Sequence, residues 1–229
     1  MSKITKEVKN RIQRFSTIEW AEPAVNTPVL IVGAGGIGSY LALWLSRMQL
    51  QITLMDNDVI DETNMSGQHY NTDDIGKPKV EAIAEQIENF SNCEVRAING
   101  LFDENTPTFP IMFSAVDNMK TRKTMFDAWK KRKDREVFID GRMTAENIQV
   151  YIVTKGREKE YEKHLFSDEE VPDLLCTARA TTHCGAMIAS LMTAGFTNYI
   201  TNRTMKKQFR ETPLKLEYFL ELFVQKVEV

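Results

Sequence analysis

The chain has 229 residues and a formal net charge of −3, which suits one large α/β domain or a domain with an appendage. The near balance of charge gives no electrostatic reason to expect a nucleic-acid partner. Three unevenly spaced cysteines argue against a disulfide framework, and no stretch approaches the roughly 20 apolar residues of a membrane span or the apolar core of a signal peptide, so the expectation is a soluble cytoplasmic protein with no membrane partner.

In chain order, Ile4, Val8, Ile12 and Phe15 recur at helical spacing and predict an amphipathic helix in an N-terminal arm over 1–22. Pro23, Asn26, Thr27 and Pro28 read as a linker. Val29 to Val32 is a short apolar strand that enters a turn holding Gly33, Gly35 and Gly38. A helical pattern follows, then a second strand, Ile52 to Met55, stopping at Asp56. Such a strand–turn–helix–strand unit holds a nucleotide. The first glycine permits the turn, the second admits a phosphate to the backbone, and the third lets helix and strand pack closely. The helix N-terminus offers free N–H groups to the anion. Asp56 follows Gly38 by 18 residues, where a carboxylate accepts from ribose hydroxyls. NAD and ATP both use this pattern.

Asp61 to Lys77 lacks periodicity and reads as a loop. Val80, Ile83, Ala84 and Ile87 mark a helix, Val95 to Ile98 a third strand, and Ile111 to Val116 a buried strand ending at Asp117. Met119 to Arg132 is helical with a basic outer face, and Val137 to Asp140 is another buried strand. Ile148, Val150 and Ile152 alternate, which predicts a half-exposed, antiparallel strand over Asn147 to Thr154. Gly156 to Pro172 is charged and reads as mobile. A helix begins near His183 with Met187, Leu191, Gly195 and Tyr199 on one face, and the tail from Leu214 is ambiguous between strand and helix.

This order implies an α/β fold: a Rossmann-like, doubly wound, mostly parallel sheet with an antiparallel extension and helices on both faces. The expected division of the single domain is an arm over 1–22, a nucleotide-binding core over 23–154, a mobile crossover over 155–183, and a C-terminal helix and tail over 184–229. Ligands gather at the C-terminal ends of such strands. That rule puts Asp56, Asp58, Asp117 and Asp140 on one rim, where helix caps and turns account for two carboxylates without function.

The ordered set GAGGIG, MDNDVIDETN, Gln68, IGKPKVE and SAVDN resembles the ThiF/MoeB and ubiquitin-activating superfamily over roughly residues 11–154. The resemblance implies an enzyme that uses ATP and magnesium to adenylate a C-terminal carboxylate on a small ubiquitin-like or sulfur-carrier protein or peptide, acting as a homodimer. By this resemblance Gly33, Gly35, Gly36 and Gly38 embrace the ATP phosphates and Asp56 holds the ribose. Asp58 and Asn64 match the second acid and the asparagine of the DxD region. Gln68 belongs to the loop that follows, Lys79 contacts phosphates, Asp117 supports magnesium or the triphosphate, and Asn118 stands beside it. Blander readings make Lys79 a surface lysine, Asp117 and Asn118 helix caps, and Asn64 and Gln68 ordinary loop residues.

The chain departs from the family in three places. The N-x-x-R-Q element reads Asn64-Met65-Ser66-Gly67-Gln68, so a phosphate-contacting arginine is missing. Arg142 is the candidate replacement, its alternative being an ion pair with Glu146. Only the start of the arm's R-[YF]-x-R-Q element is present, leaving Arg14 or Arg11 to reach a neighbouring subunit's triphosphate or to stand as a surface residue. No CxxC pair occurs, so no zinc site is expected. The run PDLLCTARATTHCGAM resembles the thioester segment of ubiquitin-like activating enzymes, making Cys176 a candidate nucleophile or, alternatively, a buried structural cysteine. Cys93 and Cys184 read as core, with Arg179 and His183 possible neighbours of Cys176. Three functions stay open: an adenylyltransferase, a nucleotide-binding module without turnover, and a nicotinamide-dependent oxidoreductase. Lys79 and Asp117 favour the first, because NAD binding needs neither.

Overall fold

The structure, a computed structural model, describes residues 4–166 and 181–229. One eight-stranded sheet organises them in the order β3-β2-β1-β4-β5-β6-β7-β8. Strands β1 (Pro28–Val32), β2 (Gln51–Asp56), β3 (Val95–Asn99), β4 (Ile111–Ser114) and β5 (Val137–Thr144) run parallel. Strands β6 (Asn147–Thr154), β7 (Lys215–Phe219) and β8 (Val224–Glu228) extend the sheet antiparallel. The strand order reverses between β1 and β4, which opens a crevice at their C-terminal ends.

Alternation along the strands feeds two cores. Val29, Ile31, Ile52, Phe113 and Ile139 point to a layer made by α3 (Gly38–Ser46), α4 (Lys79–Ser91) and α7 (Thr182–Met205). Leu30, Met112 and Phe138 point the other way, to α5 (Met119–Lys130) and α6 (Glu158–Glu162), where Phe126, Trp129 and Tyr161 are fully buried. Each such side chain contributes about 1.5–3 kcal/mol by leaving water. Long α7 packs Ile188, Met192, Phe196 and Ile200 on the sheet and uses glycine at two close approaches. A Cβ on Gly195 would stand 2.7 Å from Ile152, and one on Gly185 only 2.1 Å from the Gly36 carbonyl oxygen. Among the described residues no helix is long and apolar enough to cross a membrane.

Several sequence expectations need correction. The arm is a short α1 (Lys6–Arg11) plus a 3-10 turn, not one continuous helix, and the linker contains a one-turn α2 (Ala21–Ala24) that includes Pro23. The stretch Asp61 to Lys77 contains two 3-10 turns, Glu62–Ser66 and Thr72–Asp74. The first part of the expected mobile crossover is packed. Tyr161 of α6 sits against Phe126, Phe138 and Tyr151, while Glu158 accepts from Arg135 at 2.7 Å and from the Gly156 N–H at 2.8 Å. One buried aromatic in a charged run is enough to anchor a turn, yet it leaves no periodicity to read. The tail resolves as the β7–β8 hairpin.

Candidate functional site

The glycine turn is set by its peptide planes. Gly33 has φ +95°, and a Cβ there would meet the Ala115 carbonyl oxygen at 2.4 Å, so the turns after β1 and β4 touch. The Ala34 N–H donates to Asp56 Oδ2 at 2.6 Å. In a trans peptide the preceding carbonyl points the opposite way. The Gly33 carbonyl accordingly faces α3, where a Cβ on Gly38 would lie 1.8 Å from its oxygen. Over Gly35 the space is open, with nothing within 4 Å of a Cβ position. Among the described residues the N–H groups of Gly35, Gly36 and Ile37 donate to no backbone carbonyl. They open α3 as a set of free donors reinforced by its dipole.

The chain after β2 folds back over this turn. Asp56 Oδ1 accepts from the Asp58 N–H at 2.8 Å. The Tyr70 hydroxyl donates to the Ala34 carbonyl, and the His69 N–H donates to Ser39 Oγ at 3.0 Å. Asn64 closes a capping box with Asp61, accepting the Asp61 N–H at 3.2 Å. Buried Asp74 ties the loop to α4 through Gln86 at 2.9 Å and also receives Lys77 at 3.0 Å. Burial alone would raise the Asp74 pKa, but the hydrogen bonds from Lys77, Asn71 and Gln86 hold it below the usual range. Gln68 keeps its buried Oε1 without a hydrogen-bond partner among the described residues.

Lys79 is the first residue of α4, yet it is only 6 % exposed and is not a surface lysine. Its Nζ meets Asp58 Oδ2 at 2.7 Å, and its backbone N–H donates to the Asp58 carbonyl at 2.9 Å. Asp117 is exposed beyond β4. Asn118 caps α5, accepting the Thr121 N–H at 2.8 Å, and its Nδ2 lies 3.4 Å from Asp117. The capping reading thus holds for Asn118, and Asp117 keeps most of its acceptor capacity.

Asp140 does not belong to the open rim. It is fully buried, with Oδ1 taking Arg122 Nε at 2.7 Å and Oδ2 taking Arg142 Nε at 2.7 Å and the Tyr161 hydroxyl at 2.8 Å. Burial would raise its pKa, but the two guanidinium groups outweigh this and hold it below the carboxylate range. Arg122 also donates to the carbonyls of Val116 (2.6 Å) and Gly141 (3.5 Å). Arg142 gives its remaining donors to the His164 carbonyl (2.8 Å) and Tyr161 (3.1 Å), and lies 4.3 Å over the Tyr151 ring. Both expectations for Arg142, a phosphate contact and a Glu146 pair, therefore give way to a structural role, since each of its three nitrogens is engaged by Asp140, the His164 carbonyl or Tyr161. Glu146 instead faces His183 at 3.6 Å.

Arg11 is tied to the body, donating to Gln49 and to the Asn92 carbonyl at 3.2 Å each. Arg14 is exposed and makes no hydrogen bond or ion pair among the described residues. Cys93 and Cys184 are buried, and burial raises both thiol pKa values. Cys176 and Arg179 lie outside the described residues. Among the described residues no group of three His, Cys, Asp or Glu side chains converges on a metal-sized site. Sequence reasoning missed Tyr70, Arg122 and Tyr161. The signals were slight: a tyrosine in a polar loop, and an arginine and a tyrosine within highly charged segments.

At this end of the sheet the glycine turn with its free N–H groups meets Asp56, whose Oδ1 accepts from the Asp58 N–H, Asp58 in turn holds Lys79, and exposed Asp117 follows β4, the strand beside β1. Free N–H groups and a lysine can meet an anion, and an exposed carboxylate can meet a cation.

The sequence model of the ThiF family matches residues 12–228. Among curated proteins, the chain is 35 % identical over 91 residues to tRNA threonylcarbamoyladenosine dehydratase of Bacillus subtilis, covering 38 % of this chain and 36 % of that protein. It is 29 % identical over 132 residues to ubiquitin-like modifier-activating enzyme 5 of Aedes aegypti, covering 48 % of this chain and 33 % of that protein. The matched segments therefore span about a third of these relatives' own length. Among solved structures, PaaA superposes with a TM-score of 0.77 at 20 % identity, covering 100 % of this chain and 75 % of its own. MccB of E. coli with ATP superposes with a TM-score of 0.72 at 17 % identity, covering 98 % and 73 %. Those two likenesses establish the shared fold.

Proposed function

Because the chain belongs to the ThiF family, we propose that it is an adenylyltransferase that activates the C-terminal carboxylate of a small protein or peptide with ATP. What supports this reading is the set of open N–H donors at Gly35 to Ile37, with buried Lys79 linked to the same turn through Asp58 and Asp56, and with exposed Asp117 beyond the adjoining β4. A dinucleotide-binding site has no use for Lys79 or Asp117. The names of relatives and neighbours, which include a ubiquitin-like modifier-activating enzyme and MccB with ATP, support the same class of chemistry.

In this reading a carboxylate oxygen of the acceptor forms a bond to the α-phosphorus. The bond from that phosphorus to the bridging oxygen breaks, and pyrophosphate leaves with the electron pair. The nucleophile is already an anion, so no side chain has to remove a proton. Catalysis is alignment and charge neutralisation. Gly33, Gly35, Gly36 and Gly38 shape the phosphate cradle. Asp56, held by two backbone N–H groups, turns its remaining lone pairs to the ribose. Lys79 exchanges Asp58 for the phosphates. Asn64 fixes the loop that also carries Gln68, and Asn118 fixes the start of α5. Magnesium accompanying the triphosphate supplies further charge neutralisation, and Asp117 is the carboxylate with capacity to hold it. Gly67 leaves the family's arginine position empty, and of the two arm arginines, exposed Arg14 of a second copy in a homodimer is the one not tied to its own body and would fill it. We further propose that residues 1–229 act as a single adenylation unit, and that Cys176 accepts the acyl group only if a thioester step follows.

Exchange of radiolabelled pyrophosphate into ATP tests the reading. With a panel of small proteins and peptides carrying free C-termini, label should enter ATP for the unmodified protein and not for Asp117→Ala. A protein that binds ATP yet exchanges with none of them would favour the module without turnover.

A further inference from the structure

The Tyr70 hydroxyl reaches across from the loop after β2 to the Ala34 carbonyl, in the middle of the glycine turn. Nothing in the nucleotide-binding pattern asks for a tyrosine there. Its effect follows from peptide geometry. In a trans peptide, the carbonyl of one residue and the N–H of the next point in opposite directions, and no cis peptide bond occurs among the described residues. Fixing the Ala34 carbonyl on Tyr70 therefore directs the Gly35 N–H away from Tyr70, where it meets no backbone carbonyl among the described residues.

Asp56 does the same to the preceding plane, taking the Ala34 N–H at 2.6 Å and sending the Gly33 carbonyl toward Gly38. Ala34 is thus gripped at both ends by side chains from one adjoining segment. Without the second grip, the plane between Ala34 and Gly35 loses the side-chain hydrogen bond that fixes it, and glycine tolerates the φ that a flip would give. A flipped plane would present a carbonyl to an anion.

We propose that Tyr70 is a positioning residue that locks the Ala34–Gly35 peptide with its N–H toward the phosphates, so that the loop is set for polyphosphate before ATP arrives. This rests on the ATP-binding reading above. The hydroxyl is well suited to the task. Burial, together with the carboxylates of Asp56, Asp58 and Asp74, pushes its pKa far above the usual value, which keeps it a proton donor at every physiological pH. The loop that carries it is itself fastened by the contacts of His69 and Asp74.

The test is calorimetry of Tyr70→Phe with ATP–magnesium and, separately, with adenosine, which lacks phosphates. If the lock is lost and the competent orientation falls to about a tenth of the population, ATP affinity drops about ten-fold. Adenosine affinity stays unchanged. Equal ATP affinity in the variant and the unmodified protein, or an equal loss for ATP and adenosine, would overturn the proposal. Failure of the unmodified protein to bind ATP at all would instead remove the functional reading on which it rests. Should the variant not hold its fold, amide NMR of the unmodified protein labelled with 15N-glycine carries the same question. The Gly35 amide should shift on addition of ATP–magnesium and not of adenosine, and a Gly35 resonance unmoved by ATP would refute the lock.

Discussion

Asp56 ends β2, and Asp140 lies within β5 at the level where β4 ends, yet the two carboxylates have opposite fates. Asp56 accepts only two backbone N–H groups and keeps lone pairs toward the crevice. Asp140 is sealed in the core, where Arg122, Arg142 and Tyr161 use its acceptor capacity. The rule that ligands collect at strand ends selects both. What separates them is the hydrogen-bonding capacity left over once the fold has taken its share. On the β1–β4 side the fold leaves acceptors and donors free, and on the β5 side it consumes them to join α5, β5 and α6.

The contrast is broken most severely at Asp140. Replacing it with alanine leaves two guanidinium groups buried against each other, which costs about 3–5 kcal/mol. Urea denaturation should register that loss, and a change under about 1 kcal/mol would show that the cluster is not structural. The same carboxylate predicts an acid limit. Its pKa is depressed in the folded state, so its contribution is fully present above the unfolded value near about pH 4 and is lost as pH falls through the folded value. A denaturation series below pH 4 should therefore be flatter for Asp140→Asn than for the unmodified protein.

Asp117→Ala should do the reverse. It is exposed and caps nothing, so the melting temperature should stay put while pyrophosphate exchange falls by about 10²–10³-fold. Parallel losses in stability and exchange would erase the distinction between the open and the sealed carboxylate. Gly35→Ala sharpens it further. A Cβ there meets no protein atom within 4 Å, so stability should hold or rise by about 0.4–1 kcal/mol. ATP binding should weaken all the same, because the methyl group occupies phosphate space. The smallest effect belongs to the exposed Lys123–Asp127 pair on α5, at 3.0 Å. Removing it should change stability by less than about 0.5 kcal/mol and leave exchange untouched.

The parallel sheet was legible because each buried strand is a continuous apolar run and the β1–α3 turn carries its glycines at mechanistic spacing. The antiparallel β6 was legible from its alternation, but not its burial: it was expected half-exposed, and no residue of it is exposed because Tyr151 and Val153 pack into the second core. What stayed hidden depends on single side chains meeting across long separations. Tyr161 anchors α6 from within a charged run, and no periodicity announces it. Arg142 looks the same in sequence whether it turns to a crevice or into a core, and only the carboxylate two residues before it and the tyrosine 19 residues after it decide the matter. Tyr70 was invisible because its task is to hold a backbone carbonyl, which leaves no mark on residue type elsewhere.

The central claim is that the crevice between β1 and β4 takes a nucleoside triphosphate. Titration calorimetry with ATP–magnesium and with NADH tests it directly. Saturable binding of ATP–magnesium, with NADH inert, is the predicted result. Tight association of NADH by a protein indifferent to ATP–magnesium would contradict the account.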